Sequence, residues 1–367
     1  MKVLVSGADG FIGKNLCVHL KEIGITVLKY THESNPEDLI NLLGNVDFIF
    51  HLAGVNRPKE DAEFIDGNAG LTIKLCHAIR SCKRAIPLIF SSSIQAEIDN
   101  PYGVSKLLAE EALASLEKDT GSPVYIYRLP NVFGKWSKPN YNSVVATFCH
   151  NIANDLPIQI NDASSSMHLV FIDDVIKSFL EIFQDRPIGL NRPEVMPQYT
   201  MTVGELADQL TRFKKSRESM ISEEVGIGLV GALYSTYLSF FKSEQFSYKL
   251  ISHPDSRGRF VEMLKTKNSG QFSFFTAHPG VTRGGHYHHS KNEKFLVVQG
   301  NAKFGFRHLI TDESFEKYSN GADPEVVETI PGWAHDITNI GSEELIVLLW
   351  TNEIFDLQHP DTFTHKV

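Results

Sequence analysis

The densest group of metal-ligand side chains lies between residues 280 and 300, in the segment GVTRGGHYHHSKNEKFLVVQG. His286 and His288 are two residues apart, and Glu293 follows in the same segment. Alternate residues of a β-strand face the same side, so both histidines are expected to point into one interior. A further histidine, His335, lies in PGWAHDITN. Three imidazoles and one carboxylate suit a divalent transition metal such as Zn²⁺.

A second reactive group lies nearer the N-terminus, in the segments FSSSI and YGVSK. Tyr102 and Lys106 are four residues apart at the start of a predicted helix, which puts both side chains on one face. A lysine beside a tyrosine is expected to lower the pKa of the phenol, so that Tyr102 can donate a proton near neutral pH. The serine hydroxyls of FSSSI end the preceding strand and are suited to bond a carbonyl oxygen. This group predicts chemistry at a ketone.

A glycine-rich turn opens the chain. The segment GADGFIG places Gly7, Gly10 and Gly13 directly after the strand KVLVS and before a helical pattern. Such glycines allow a tight turn and let a helix N-terminus face a pyrophosphate. Three spaced glycines alone are weak evidence for a dinucleotide-binding turn. Their position directly after the first strand makes that evidence strong. The turn predicts a dinucleotide site.

The pattern of predicted elements changes along the chain. Residues 1–130 alternate short β-branched strands with helices, which is typical of a parallel sheet. Beyond about residue 250, strand-like runs follow one another with turns between them, which indicates an antiparallel barrel or sandwich. The change falls within 205–248. We therefore expect an α/β, Rossmann-type doubly wound domain over 1–245 and an all-β domain over 246–367.

Composition and charge exclude several classes of protein. A formal net charge of −9 disfavours a nucleic-acid partner, because phosphate-binding surfaces need clustered Lys and Arg. The four cysteines have no metal-type spacing and favour a reducing, cytoplasmic setting. The N-terminus lacks the apolar run of a signal peptide. The apolar segment 225–241 is at the lower limit for a membrane span, and a buried or interface helix is the favoured interpretation.

Five motifs carry a resemblance to a known family. GADGFIG, HLAGVN, FSSS, YGVSK and RLPNVFG together resemble the extended short-chain dehydrogenase/reductase family over roughly residues 1–245. The resemblance implies that Ser93 (with Ser92 as second choice), Tyr102 and Lys106 are catalytic, and that Asn131 and His168 meet a sugar nucleotide. It also implies a cofactor site made by Gly7, Gly10, Phe11, Ile12, Gly13, Thr31, His32, Leu52, Ala53, Gly54, Tyr102 and Lys106.

Two departures from the family pattern narrow the expected chemistry. The end of the second predicted strand reads Thr31-His32, with no acid before Glu33 to bind a ribose 2′-hydroxyl, which favours NADPH over NAD. The dehydratase branch has an Asp-Glu pair after its catalytic hydroxyl, whereas this chain continues Ile94-Gln95. The resemblance therefore implies reduction of a keto-sugar.

The histidine-rich segment carries two further resemblances. Its spacing matches the two cupin motifs, which implies a cupin barrel with His286, His288, Glu293 and His335 as metal ligands. DSRGRFVE, GVTRGGHY and PGWAHD resemble the metal-free dTDP-keto-sugar epimerases, which implies that Arg257 and Arg283 hold a diphosphate. The acid tyrosine of those epimerases is absent from LIVLLWTN, so we expect His286 to be a ligand and not a base. Lys294, near the place of an epimerase lysine, is included as a catalytic candidate.

The whole chain is similar to the CapF-type bifunctional enzymes of bacterial capsule and O-antigen synthesis. That resemblance implies a homodimer in which the cupin epimerises carbon 3 of a UDP-2-acetamido-2,6-dideoxy-L-hexos-4-ulose. Reduction with NADPH then gives UDP-2-acetamido-2,6-dideoxy-L-talose, a precursor of UDP-N-acetyl-L-fucosamine. Three alternatives stay open: a reductase whose metal cupin is purely structural, an NAD-retaining 4-epimerase, and a non-catalytic sugar-nucleotide sensor.

Overall fold

The computed structural model describes residues 1–31, 33–34 and 38–367. The chain divides into two compact units. One unit contains residues 1–211 and 227–241, and the other contains residues 212–226 and 242–367. The chain therefore crosses from one unit to the other after Thr211, after Gly226 and after Phe241.

The first unit alternates strands and helices. Its strands are β1 (Lys2–Ser6), β2 (Thr26–Tyr30), β3 (Phe48–His51), β4 (Leu88–Ser93), β5 (Val124–Leu129), β6 (Asn131–Phe133), β7 (Ser166–Phe171), β8 (Leu190–Asn191) and β9 (Tyr199–Thr202). Its helices are α1 (Phe11–Glu22), α2 (Asp38–Leu43), α3 (Ala62–Phe64), α4 (Leu71–Cys82), α5 (Pro101–Thr120), α6 (Val144–Ala153), α7 (Ile172–Asp185), the start of α8 (Val203–Ser219) and α9 (Gly228–Leu238). A π-helical turn (Ile65–Gly70) precedes α4, and a 3₁₀ turn (Ile94–Glu97) follows β4.

A parallel sheet with the strand order β2-β1-β3-β4-β5-β8 forms the centre of the first unit. Strands β3 (FIFH) and β4 (LIFSSS) are buried on both faces, which is why each begins with three consecutive apolar residues and not with an alternating pattern. The strand order reverses at β1, so the turns after β1 and β3 meet at the carboxyl edge of the sheet, where doubly wound folds bind ligands. The predicted α/β class of this unit is confirmed.

Helix α5 begins and ends at residues that favour those positions. The Asn100 side chain accepts a hydrogen bond from the Gly103 N–H at 2.8 Å, and Pro101 occupies the first turn. Such an N-cap contributes about 1 kcal/mol to helix stability. Gly121 ends the helix in the left-handed conformation. The cap fixes the rotation of α5, and with it the side on which Tyr102 and Lys106 lie.

The apolar segment predicted as a buried helix forms α9, which packs against α6. Ala232, Leu233, Thr236 and Tyr237 are its buried residues. Within the described part of the chain, no helix has the length and apolar character needed to cross a bilayer.

The second unit is rich in strands. These are β10 (Ile221–Ser222), β11 (Ser252–Asp255), β12 (Gly258–Thr266), β13 (Gly270–Ala277), β14 (Thr282–Tyr287), β15 (Glu293–Gln299), β16 (Asn301–His308), β17 (Ser314–Asn320), β18 (Val326–Glu328), β19 (Trp333–Asn339), β20 (Leu345–Thr351) and β21 (Phe363–Thr364), with a 3₁₀ turn at Ser243–Gln245. One sheet has the order β10-β12-β13-β20-β15-β18, with β11 also paired to β12. The other has the order β17-β16-β19-β14-β21.

The core of the second unit lies between its two sheets. Phe275, Phe295 and Val347 come from the first sheet, and Phe304 and Ile337 come from the second. All five side chains are buried, as expected when two sheets pack face to face. The predicted strand-rich second region is confirmed, and the ligand-bearing strands β14, β15 and β19 bring their side chains towards this interior.

Candidate functional site

In the first unit the predicted catalytic residues lie together where β4 and α5 meet. The hydroxyl of Tyr102 is hydrogen-bonded to the Ser93 side chain. The Lys106 amine lies 5.9 Å from the centre of the Tyr102 ring and donates a hydrogen bond to the Ser91 carbonyl at 2.9 Å. Ser93, Tyr102 and Lys106 therefore form one group, as the sequence predicted.

The electrostatics of this group differ from the expectation for the phenol. Burial raises the pKa of Tyr102, and the hydrogen bond with Ser93 only partly opposes that rise. Burial also lowers the pKa of Lys106 to about 8, against a smaller opposite effect of the Glu110 carboxylate. The prediction that Lys106 lowers the pKa of Tyr102 is therefore wrong for this structure, in which that pKa is raised. Burial has the largest effect on the pKa of both groups.

Ser92, the second choice for the catalytic serine, has a different partner. Its hydroxyl donates to a carboxylate oxygen of Glu110 at 2.6 Å. Glu110 is itself buried and paired with Arg128 at 2.7 Å. Successive residues of β4 point in opposite directions, so Ser92 faces this ion pair while Ser93 faces Tyr102. The geometry favours Ser93.

The glycines of the predicted cofactor site stand where a side chain would not fit. Gly7 has a φ of +68°, and a Cβ there would lie 2.7 Å from the Ala53 nitrogen. A Cβ on Gly13 would lie 2.2 Å from the Gly7 carbonyl oxygen. At Gly54 a Cβ would come within 3.1 Å of the Lys106 amine. These close approaches bring the turn after β1, the turn after β3 and Lys106 together, which fits a dinucleotide.

A buried network holds the turn after β3. His51 is bonded through Nδ1 to the Ser6 hydroxyl at 2.7 Å and through Nε2 to the Thr72 hydroxyl at 2.9 Å. Burial, assisted by the charge of Lys106, lowers the pKa of His51 to about 3, so the ring is neutral. The Ser6 hydroxyl also accepts from the backbone N–H groups of Leu52 and Ala53 at 3.2 Å. His51 therefore shapes the turn.

Asn68 is a residue that the sequence reasoning missed. Its side chain bonds both backbone groups of Val55, at 2.9 and 3.0 Å, and donates to the Ser105 hydroxyl at 2.9 Å. The Ser105 hydroxyl in turn donates to the Tyr102 carbonyl at 2.7 Å. Asn68 thus connects the cofactor turn to the catalytic helix. Its position in a π-helical turn gave no periodic signal in the sequence.

The other predicted cofactor residues lie around the same edge. Phe11 and Ile12 occupy the first turn of α1 and pack on the core of the unit. Gly10 precedes them, and no side chain caps the N-terminus of this helix. Thr31 follows β2 and its N–H donates to the Ser34 hydroxyl at 3.0 Å. His32 lies outside the described residues.

Asn131 and His168 are neighbours on a small sheet of the order β6-β7-β9. The Asn131 amide donates to the His168 carbonyl at 3.1 Å, and Nδ1 of His168 lies 3.2 Å from the Thr200 hydroxyl. Both residues are exposed. The structure therefore brings these two predicted substrate residues together.

In the second unit the four predicted ligands converge. His286, His288, Glu293 and His335 each offer a ligand atom, and these atoms all lie within 4.8 Å of one another. A carboxylate oxygen of Glu293 lies 3.3 Å from Nε2 of His288 and 3.1 Å from Nε2 of His335. His286 comes from β14, Glu293 from β15 and His335 from β19, so three strands from two sheets build the cluster.

The protonation of the cluster suits a metal ion. Burial, assisted by the neighbouring His335, lowers the pKa of His286 to about 4, which leaves a neutral imidazole. Burial alone would raise the pKa of Glu293, but the imidazoles of His288 and His335 outweigh it and hold that pKa below its usual range. Nε2 of His288 and Nδ1 of His335 are buried without a hydrogen-bond partner. Unsatisfied imidazole nitrogens beside a carboxylate fit a divalent cation.

The two predicted diphosphate residues share one carboxylate. Arg257 bonds Asp255 at 2.7 Å, and Arg283 lies 3.5 Å from the same side chain. Arg283 pairs opposite Ile337 while His286 pairs opposite His335, because the register shifts by one residue after Gly284. That bulge brings Arg283 and His286 to the same face of β14. The two arginines therefore lie together at Asp255, and Arg283 is on the same face of β14 as His286.

Lys294 does not join the cluster, which corrects its inclusion as a catalytic candidate. It follows Glu293 on β15, so its side chain points to the opposite face, where it is exposed and pairs with Glu328 at 2.7 Å. The lysine beside the cluster is Lys291. It is 6% exposed, and its amine lies 3.9 Å from Glu293. No local pattern in the sequence distinguished the two lysines.

Two family models match the chain. That of the NAD-dependent epimerase/dehydratase family matches residues 3–191, just over half of the chain, and that of the polysaccharide biosynthesis C-terminal domain matches residues 253–363. The chain belongs to the NAD-dependent epimerase/dehydratase family, and within it to the two-domain CapF type. Membership of this family implies a nicotinamide cofactor.

Three similar proteins match different portions of the chain. A UDP-2-acetamido-2,6-beta-L-arabino-hexul-4-ose reductase of Pseudomonas aeruginosa is 59% identical and covers 100% of this chain and 99% of its own. The crystal structure of the capsular polysaccharide assembling protein CapF from Staphylococcus aureus is 41% identical, with a TM-score of 0.93 and full coverage of both chains. A UDP-glucuronic acid 4-epimerase from Bacillus cereus in complex with NAD covers 65% of this chain and 98% of its own, at 20% identity and a TM-score of 0.55, and shares the fold.

Proposed function

We propose that this protein is a bifunctional nucleotide-sugar enzyme. Its strand-rich cupin unit epimerises carbon 3 of a UDP-2-acetamido-2,6-dideoxy-L-hexos-4-ulose, and its Rossmann-type unit reduces the 4-keto group with NADPH. The product is UDP-2-acetamido-2,6-dideoxy-L-talose. The observation that carries the proposal is the presence, in one chain, of the Ser93–Tyr102 pair and the four-ligand cluster. The name of the Pseudomonas aeruginosa relative supports the substrate and the 4-keto reduction.

In the reduction, NADPH supplies a hydride to carbon 4. Tyr102 donates the proton that the ketone oxygen needs, and the Ser93 hydroxyl orients that oxygen through a hydrogen bond. Lys106 lies between the cofactor turn at Gly54 and Tyr102, where its amine binds the cofactor. His51 stays neutral and holds the turn, so it takes no proton. Asn131 and His168 bind the sugar nucleotide.

NADPH is preferred to NADH in this proposal. The sequence offers no acid at Thr31, where NAD-binding relatives carry one. Lys29, at the end of β2, lies beside the glycine turn and contacts Asp9 at 3.2 Å. A cation at this edge favours an additional phosphate on the adenosine ribose.

In the epimerisation, His286, His288, Glu293 and His335 would hold a divalent metal, Zn²⁺ by ligand preference, which would supply positive charge that makes the proton at carbon 3 more acidic. With all four side chains committed as ligands, His286 is not the base. Arg257 and Arg283 bind the diphosphate of the substrate.

We propose that Lys291 is the lysine that takes part in the epimerisation. Its buried amine is next to Glu293, where it would stabilise negative charge that develops on the substrate. Replacement of Lys291 by Met is expected to slow exchange at carbon 3. Lys294→Met is the matched control, because that amine lies three residues further along the chain and pairs with Glu328, away from the cluster.

A single incubation tests both activities. The 4-keto UDP-sugar is mixed with the protein in D₂O, with and without NADPH, and followed by NMR. We expect deuterium at carbon 3 without NADPH, and reduction at carbon 4 only with NADPH. Reduction without any exchange at carbon 3 would favour a purely structural cupin. A protein that purifies with bound NAD and needs no NADPH would favour a 4-epimerase.

We infer that the two reactions are divided along the chain. Residues 1–245 carry the reduction, and residues 246–367 carry the epimerisation. The protein is a homodimer, in line with the exposed apolar side chains of Ile227, Phe246 and Ile251 around the unit boundaries. It works in the reducing cytoplasm, which is consistent with four free cysteines.

A further inference from the structure

The C-terminal segment, residues 352–367, runs back to the metal cluster after β20 ends. Its strand β21 pairs antiparallel with β14, so that Thr364 lies opposite His286 and Phe363 lies opposite Tyr287. The His365 N–H donates to the Gly285 carbonyl at 2.9 Å, and the Phe363 ring stacks on Tyr287 at 5.4 Å. The segment thus forms the edge of the sheet next to the first metal ligand.

Asp361 binds the loop that connects His288 to Glu293. Its carboxylate accepts hydrogen bonds from three consecutive backbone N–H groups, those of His289 at 2.8 Å, Ser290 at 2.7 Å and Lys291 at 2.8 Å. The Ser290 hydroxyl adds a fourth bond at 3.1 Å. One carboxylate therefore fixes the backbone of the whole loop.

The same residue sets the orientation of His288. The main-chain carbonyl of Asp361 accepts a hydrogen bond from Nδ1 of His288. This bond selects the tautomer in which Nδ1 carries the proton, so Nε2 is the nitrogen left to bind a metal. Nε2 is also the atom that lies 3.3 Å from Glu293 and has no hydrogen-bond partner. Partners of this kind are known to hold metal-binding imidazoles in place.

We propose that Asp361 is a positioning residue of the metal site, and that the C-terminal segment sets the affinity of the cluster for its ion. The inference rests on the metal site of the proposed function. Asp361 is not one of the four residues of the ligand cluster. It acts through His288 and through the loop leading to Glu293, so its loss changes metal binding before it changes chemistry.

The test measures zinc affinity on the full-length chain. Metal-free wild-type protein and Asp361→Asn are titrated with Zn²⁺ in competition with a chromophoric chelator. An asparagine keeps one acceptor oxygen but places an NH₂ group against backbone donors, so the loop loses at least one bond. We expect zinc affinity to fall about 10- to 100-fold. Asp356→Asn is the matched control, because it makes the same change in the same segment but bonds only Gln358 and His359. Its affinity should stay within about twofold of wild type.

Two additional measurements separate positioning from general stability. The absorption spectrum of the Co²⁺-loaded protein reports ligand geometry and should change in Asp361→Asn but not in Asp356→Asn. A variant that ends at Gln358 removes Asp361 and β21 together and should bind zinc more weakly than Asp361→Asn. Wild-type zinc affinity and an unchanged Co²⁺ spectrum in Asp361→Asn, even with a lower melting temperature, would overturn the inference while the metal site stands. Failure of the wild type to bind Zn²⁺ or Co²⁺ would overturn both.

Discussion

Replacement of Lys106 by Met is expected to stabilise the metal-free, cofactor-free protein while it abolishes reduction. Lys106 is 4% exposed, and burial lowers its pKa from 10.5 to about 8. At pH 7 the protonated amine therefore destabilises the first unit by about 3 kcal/mol, at about 1.4 kcal/mol per pKa unit. Loss of the hydrogen bond to the Ser91 carbonyl offsets about 1 kcal/mol of this gain. The net stabilisation at pH 7 is about 2 kcal/mol.

The pH dependence gives the sharper measurement. The unfolded chain binds the Lys106 proton up to its ordinary pKa, whereas the folded chain releases it near pH 8. The wild-type penalty is therefore complete below pH 8 and disappears between about pH 8 and 10.5. The advantage of Lys106→Met should shrink by about 2 kcal/mol between pH 7 and 9.5.

The assay is urea unfolding with pulsed hydrogen exchange, which reads the protection of β1 and β4 separately from the second unit. Lys118→Met, an exposed lysine near the end of the same helix, is the control and should change stability by less than about 0.5 kcal/mol at either pH. An equal effect of Lys106→Met at both pH values would refute the reasoning, because the penalty would then not come from a desolvated charge.

Three other outcomes follow from the two sites. Tyr102→Phe should lower the rate of NADPH oxidation about 10²- to 10⁴-fold through loss of the proton donor, while cofactor binding, followed by calorimetry, persists. Glu293→Gln should remove bound zinc and deuterium exchange at carbon 3, because a neutral amide replaces the anionic ligand. Reduction of a substrate that is already epimerised should continue. NMR distinguishes exchange at carbon 3 from reduction at carbon 4. Gly54→Ala places a Cβ 2.7 Å from the Asn68 side-chain oxygen and should lower stability by about 1–3 kcal/mol and weaken NADPH binding, as seen by thermal unfolding and cofactor titration. Gly44→Ala, which makes only ordinary contacts, is its control.

The fold class and the residues near each motif were predictable because local patterns encode them. The glycine turn, the Tyr102–Lys106 spacing and the paired histidines each lie on one element or on two adjacent ones. Periodicity and turn chemistry therefore identified them without knowledge of the tertiary structure. The convergence of His335 with His286 was inferred from cupin spacing, and the register of β14 with β19 places those two residues opposite each other.

The remaining features depend on contacts that the local sequence does not encode. Lys294 lies away from the cluster because its side chain is on the face of β15 opposite Glu293, and a shift of one residue would reverse this. Asp361 lies more than 60 residues from the loop it binds, in a segment without a motif. The electrostatic balance at Tyr102 follows from burial, which a spacing rule does not report.

The three crossings between the units have a consequence for how the two activities are inherited. A cut after Thr211 would leave α9, with its buried Leu233, on the wrong fragment, and a cut after Phe241 would take β10 from the edge of β12. No single cut at these crossings separates the chain into its two intact units. A cell that makes this protein therefore makes both units in a fixed one-to-one ratio, and a terminal truncation that removes all of one unit also removes part of the other.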